Sequence, residues 1–184
     1  MKDLALHILD IAQNSVSAGA TIVRVIIIGD RQNDVLTLTI TDNGRGMSNE
    51  QLSRVTDPYF TTRTTRKVGM GIPLLKHTAE QAGGTFAVSS AADKGTELTA
   101  TMCYSHLDRP PMGDIAGVIS MLAGANPVID FICRYENDGS AYTFDTREIK
   151  EILEDVPLSE PAVIRYLKEL IEENISAIAK AGKP

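Results

Sequence analysis

Read only as apolar and polar positions, the chain switches between two periods. Over residues 3–18 apolar side chains recur every three to four positions. Leu4, Ile8 and Ile11 form one stripe with Ser15, and Leu6, Leu9 and Val16 widen it, which predicts an amphipathic helix stopped by Gly19. Residues 21–28 are mostly β-branched and predict a buried strand. Val35-Leu36-Thr37-Leu38-Thr39-Ile40 alternates with period two and predicts a second strand, antiparallel to the first across the polar turn 29–34. Ser48 is placed to cap a short helix through Gln51 and Leu52. The helical period returns over residues 72–82 with Leu74, Leu75, Thr78 and Ala79. Pro73 falls in the first turn, where its missing N–H costs little, and Gly83-Gly84 follows the last turn. Two more strands are predicted over 85–90 and 96–104, joined by a turn over 91–95.

His106-Leu107-Asp108-Arg109-Pro110-Pro111 reads as a boundary. Beyond it the pattern predicts an apolar helix over 114–123, and a hairpin of 127–135 with 141–145 around Asp138-Gly139. Two further helices are predicted, one capped by Thr146 and running to Asp155, one capped by Ser159 and running to Lys180. The last carries the stripe Val163, Leu167, Leu170, Ile171, Ile175 and Ile178. Such a stripe packs against the tail's own hairpin or forms a partner or homodimer surface. The expected organisation is one unit over 1–104 followed by a small α+β extension over 105–184.

Composition narrows the field. The 184 residues are 43% hydrophobic and 5% aromatic, with no tryptophan, so the core is expected to be built from Ile, Leu, Val and Ala. The net charge is −6 and no basic block stands out, which speaks against nucleic acid as a partner. No apolar run approaches the ~18 residues of a membrane span. Met1-Lys2-Asp3-Leu4 has no signal-peptide character, so a cytoplasmic location is expected. Cys103 and Cys133 lie far apart in strand-like segments and fit no metal spacing; they read as small buried hydrophobes.

Candidate chemistry concentrates in two glycine stretches. Thr41-Asp42-Asn43-Gly44-Arg45-Gly46 ends a predicted strand, and Val68-Gly69-Met70-Gly71-Ile72-Pro73 opens a predicted helix. A carboxylate at a strand end accepts a hydrogen bond from a base amino group, and a glycine-led helix N-terminus presents N–H groups to phosphates. Either piece alone is weak, since Asp-Asn-Gly is a common turn and G-x-G is common everywhere; their order and spacing carry the reading. His7, Asp10 and Asn14 project from one side of the first helix, either as a solvated face or, for Asp10 and Asn14, as oxygen donors for a hard cation. Residues 57–67 contain two aromatics, four threonines and three cations. They read as a polar loop or as a lid whose Arg63, Arg66 and Lys67 meet phosphate oxygens. His77 reads as a surface residue.

These motifs, in order, resemble the GHKL ATP-binding domain of histidine kinases, anti-sigma-factor serine kinases, DNA gyrase, MutL proteins and a chaperone family. Asp10-Ile11-Ala12-Gln13-Asn14-Ser15 resembles the N box, and Asp42-Asn43-Gly44-Arg45-Gly46-Met47 the first glycine box. Asp57-Pro58-Tyr59-Phe60-Thr61-Thr62-Arg63 resembles the aromatic box of histidine kinases. Gly69-Met70-Gly71-Ile72 resembles the second glycine box, and Lys94-Gly95-Thr96-Glu97-Leu98 the terminal Gly-Thr signature. The resemblance covers residues 1–104 and implies a two-layer α+β sandwich with helices on one face of a mixed sheet.

It also implies ATP and Mg²⁺ as cofactors. Asn14 would hold the Mg²⁺, and Asp42 would accept the adenine amino group with support from Thr96. Gly44 and Gly46 would pass close to base and ribose. Gly69 and Gly71 would form the phosphate-facing turn, and Thr62, Arg63 and Lys67 would face the nucleotide from the lid. Asp10 stands where the family usually has Glu, one methylene longer, so it is expected as a weak general base at most. The second glycine box has Ile-Pro where Leu is common.

The resemblance leaves three competing functions. The first is a protein kinase moving the ATP γ-phosphate to a His or Ser of a separate partner. With the N-box helix at the start of the sequence, no upstream helical hairpin carrying a phosphoacceptor is expected, and His7, His77 and His106 lack that context. The second is an ATP-sensing module without phosphotransfer. The third, an ATPase of the gyrase or MutL kind, requires a downstream lysine that the sequence does not identify.

Overall fold

The computed structural model describes residues 2–57 and 70–181. Its first half runs α1 (Leu4–Ser17), β1 (Ile22–Asp30), β2 (Val35–Asp42), α2 (Asn49–Arg54), α3 (Gly71–Gln81), β3 (Phe86–Ala91) and β4 (Gly95–Cys103). The remainder runs α4 (Ile115–Ala125), β5 (Asp130–Asn137), β6 (Ser140–Asp145), α5 (Thr146–Leu153) and α6 (Pro161–Ala181). The strands form a single sheet in the order β3-β4-β2-β1-β5-β6. It is mixed: β5 runs parallel to β1, while the other neighbours pair antiparallel.

The period-two pattern becomes one buried face. Val23, Val25 and Ile27 of β1 line up with Leu36, Leu38 and Ile40 of β2, Leu98, Ala100 and Met102 of β4, and Phe131, Cys133 and Tyr135 of β5, all buried. The intervening positions, such as Ile26, Thr37, Thr39 and Thr99, are half-buried on the other face. Leu4, Ile8 and Ile11 of α1, Leu75 and Ala79 of α3, Ile119 and Leu122 of α4, and Leu167 and Ile171 of α6 join the same cluster as the buried sheet residues. Helices and sheet therefore share one core, the expected two-layer α+β arrangement.

The segment after residue 105 extends this sheet. The β5–β6 hairpin turns at Asp138-Gly139 and lays β5 beside β1. α6 packs on α4, β5 and β6, with Val163, Leu167, Ile171 and Ile178 of its stripe buried. The stripe is thus taken up inside the fold, as the first of the two readings expects.

Ser48 caps α2 as expected from the sequence, and carboxylates cap two other helices. Asp3 caps α1, Ser48 and Gln51 form a reciprocal capping box on α2, and Asp114 caps α4. One cap differs. Asp145, not Thr146, caps α5 by accepting from the Arg147 N–H, because the Thr146 hydroxyl receives the Phe131 N–H at 2.9 Å instead. The Arg147 guanidinium beside Asp145 holds that carboxyl below the usual range. Both cysteines are free; Cys133 is buried, which pushes its thiol up to about 12, and Cys103 donates to Asp34 at 2.9 Å.

Candidate functional site

The site is built at the end of the sheet where β2 stops and β4 starts. The antiparallel register places Asp42 directly opposite Thr96. The Asp42 carboxylate is fixed from two sides: Oδ1 accepts from the Gly44 N–H at 2.9 Å and Oδ2 accepts from the Ser15 hydroxyl at 2.7 Å. Ser15 lies on the buried stripe of α1 and is 2% exposed. A carboxylate has about four acceptor positions. With two donors already on it, Asp42 keeps capacity for a further donor, which is what reading an amino group requires.

The loop after Asp42 is clamped at both of its edges. Asn43 Oδ1 accepts from the Thr21 and Ile22 N–H groups, each at 2.9 Å, and Asn43 Nδ2 donates to the Thr21 hydroxyl at 2.8 Å. On the other edge the Ser90 hydroxyl receives the Met47 N–H at 2.9 Å, donates to the Gly95 carbonyl at 2.8 Å, and lies 3.0 Å from the Thr96 hydroxyl. Gly46 is required here twice over. Its φ is +63°, and an added Cβ would run into the Ala91 carbonyl. The backbone therefore passes against the β3–β4 hairpin more closely than any side chain allows.

α1 and α3 form the second wall. Asp10 and Asn14, one turn apart on α1, are both half-buried, and Asn14 immediately precedes the Ser15 that holds Asp42. Gly71, the first residue of α3, is buried against Asp10: a Cβ there would lie 2.9 Å from Asp10 Cγ. One turn before Asp10, His7 is wholly buried, a departure from the solvated-face reading of this side of the helix. Its Nε2 is 3.2 Å from the Thr78 hydroxyl of α3. Burial, reinforced by the N-terminal charge, drives the imidazole down to about 4, so it packs as a neutral ring.

Seven expected site residues thus fall in the described structure. Asp42, Gly44, Gly46 and Thr96 come together at one sheet end, Asp10 meets Gly71, and Asn14 sits on α1 between them. Thr62, Arg63, Lys67 and Gly69, like Arg66, lie outside the described residues. His77 is exposed, as read. Pattern reading missed the three supporting residues Ser15, Asn43 and Ser90. Ser15 did leave a signal, a hydroxyl on an otherwise apolar stripe; Ser90 left none.

The donor set suits a shared cation rather than a protein cage. Among the described residues no cluster of three or more His, Cys, Asp or Glu side chains could hold a metal ion. An amide oxygen at Asn14 with a carboxylate one turn away matches magnesium's habit of taking one or two protein ligands and completing its shell with phosphates and water.

Comparison with known proteins agrees with this geometry. The profile of the family described as histidine kinase-, DNA gyrase B-, and HSP90-like ATPase matches residues 2–106. The sensor histidine kinase ZraS of Escherichia coli K12 is 33% identical over 76 residues, 41% of this chain and 16% of that protein. A putative sensor protein of Shewanella frigidimarina is 29% identical over 103 residues, 55% of this chain and again 16% of the relative. The chain therefore spans only a small part of these relatives. Among solved structures, the Aquifex aeolicus MutL ATPase domain complexed with ADP superposes with a TM-score of 0.50 at 16% identity, covering 96% of this chain and 70% of that one. The N-terminal domain of a DNA repair protein superposes with a TM-score of 0.54 at 14% identity, covering 78% and 52%. At such identity these two speak for the fold. With the profile spanning more than half of its length, this chain belongs to the histidine kinase-, DNA gyrase B-, and HSP90-like ATPase family.

Proposed function

We propose that the protein binds Mg·ATP at the Asp42–Thr96 end of the sheet and passes the γ-phosphate to a His or Ser of a separate protein. The observation that carries the nucleotide part is the doubly held Asp42 carboxylate, with acceptor capacity left over, opposite Thr96. In this reading Asp42 selects the base amino group. Gly44 and Gly46 let the backbone after Asp42 pack against Ala18 and the β3–β4 hairpin, which fixes the turn beside which the base and ribose would lie. Asn14 turns its amide oxygen toward the cation, whose charge offsets that of the phosphates. The α3 N-terminus at Gly71 receives the phosphate end, with Arg63 and Lys67 assigned there from the sequence pattern alone. Asp10 is the candidate to take the acceptor's proton, as a weak base.

The likeness to sensor histidine kinases supports phosphotransfer over simple hydrolysis. One observation favours a second reading, an ATP-sensing module: the shorter Asp10 is drawn up against Gly71, where it is poorly placed to serve a third molecule. In either case the apolar stripe of α6 is occupied internally, so a dimer through that helix would use its outer face, where Tyr166 is 59% exposed.

Incubation of the purified chain with γ-labelled ATP and Mg²⁺, with and without cell extract, tests the proposal. Label on one extract protein, lost in Asn14→Ala, supports transfer in trans. Nucleotide binding with no labelled protein and negligible phosphate release supports the sensing module.

A further inference from the structure

The core residues of α1, α3, α4 and α6 pack with one face of the sheet, that of Val25, Leu38, Ala100 and Cys133. The opposite face centres on Ile26 and Ile28 of β1, Thr37 and Thr39 of β2, and Thr99 and Thr101 of β4. Ile26 and Ile28 are half-buried, yet they belong neither to the core nor to the residues packed against it. The Thr39 and Thr99 hydroxyls pair across the strands at 3.3 Å, and the Thr101 hydroxyl pairs with that of Thr85 at 2.8 Å. Their hydrogen bonding is met within the sheet, so the face offers methyl groups to a neighbour.

We propose that a second copy of this chain covers this face, sheet on sheet, about a two-fold axis running along β2. Aligned sheets pack ~10 Å apart, a spacing that β-branched side chains fill. Charge selects the axis. Arg24 and Glu97 are both exposed and both lie beside Thr41, one on either side of β2. Among the described residues neither forms an ion pair within the chain. Rotation about β2 lays β1 over β4 of the second copy, so Arg24 meets Glu97 of the partner subunit, and the two-fold repeats the pair. In the same register Ile26 falls over a threonine, and Arg134 of β5 falls over the uncharged β3, so no like charges meet. An axis along β1 would set arginine on arginine, and one along β4 glutamate on glutamate. Across β3 to β5 and along residues 35–41 the face measures ~24 Å by ~24 Å, so a dimer buries on the order of 1,100 Å². That just clears the ~1,000 Å² of a specific interface and points to a reversible dimer. α1 and α3 lie on the other layer, so the Asp42–Thr96 end of the sheet stays open.

Sedimentation velocity of the full chain over a micromolar concentration series tests this, with a monomer–dimer equilibrium expected. Thr39 sits on the axis, so Thr39→Lys sets two ammonium groups against each other and should leave a monomer. Arg24→Glu and Glu97→Arg each bring like charges together and should weaken the dimer about tenfold or more. The double variant Arg24→Glu/Glu97→Arg exchanges the pair and should restore the dimer, which a folding defect in either single variant would not allow. A monomer at every concentration overturns the proposal and leaves the face to a different protein. A dimer indifferent to Thr39→Lys, or single charge variants that the double variant does not rescue, overturns it as well. Loss of the dimer in Tyr166→Glu with Thr39→Lys unaffected would move the contact to the outer face of α6.

Discussion

The two flanks of the sheet hold their backbones by different means. On the β4–β2 side, the chain around Asp42 is held by side-chain oxygens: Asn43 on the start of β1, Ser90 on Met47 and Gly95, Ser15 on Asp42. On the β5–β6 side, the hairpin is held by apolar packing under α4 and α6 and by helix caps such as Asp145. Hydrogen-bonded clamps fix a loop in one geometry through polar groups that can also meet a ligand, whereas apolar packing fills the interior. The first flank is therefore suited to receive a ligand and the second to stabilise the scaffold that presents it.

Substitutions that act on one flank and spare the other would sharpen this contrast. The largest effect is expected from Leu167→Ala. Leu167 is 0% exposed in the core under α6, and such truncations cost about 3 kcal/mol. Thermal unfolding should shift down by roughly 10 °C while ATP affinity stays unchanged; a parallel loss of affinity would mean the flanks are not separable.

Next comes Asp42→Asn, which keeps one acceptor oxygen and turns the other into an NH2 donor. ATP affinity should fall roughly 30-fold, about 2 kcal/mol, with little change in melting temperature, as read by calorimetry and thermal unfolding. Unchanged affinity would remove Asp42 from the pocket.

Acidification should act through His7. Its folded-state value of about 4 lies below the ordinary 6.5, so between those values the unfolded chain takes up a proton that the folded chain refuses. This contribution to stability is complete above pH 6.5 and is lost as pH falls toward 4. The loss between neutrality and mild acid amounts to about 2 kcal/mol. Denaturant unfolding of the parent protein and His7→Gln at both pH values checks it; an equal pH response in the two proteins would rule out His7 as the source.

The smallest effect is expected from Ser15→Ala, which removes one of the two donors on Asp42. ATP binding should weaken by about 1 kcal/mol, with part of the preference for adenine over guanine nucleotides lost and a threonine at this position restoring some of it. Competition titration with both nucleotides reads the difference.

Much of this was legible in the chain because the deciding interactions are local. Alternation over residues 35–40 and the helical stripe of Leu4, Ile8 and Ile11 reappear as the buried face and α1, since hydrophobic periodicity is written one residue at a time. That Asp42, Gly44, Gly46 and Thr96 meet at one sheet end follows from the motif, because close backbone approach leaves glycine as its trace. His7 was not legible: its burial depends on Thr78, distant in sequence, and a lone histidine carries no sign of what packs on it. The α5 cap was misassigned because Asp145 and Thr146 are both good caps. Only the position of the Phe131 N–H decides between them.

The sequence by itself determined the element types, the α+β class, the glycine turn after Asp42 and the order of the motifs, because propensity, period and turn chemistry act over a few neighbouring residues. Tertiary structure alone decided that β5 joins the sheet beside β1, that the α6 stripe turns inward, that Ser15 holds Asp42 and Ser90 the loop after it, and that Asp10 lies against Gly71. Those outcomes depend on which surfaces meet across long sequence separations, and no local pattern encodes the partner of a surface before the chain has closed around it.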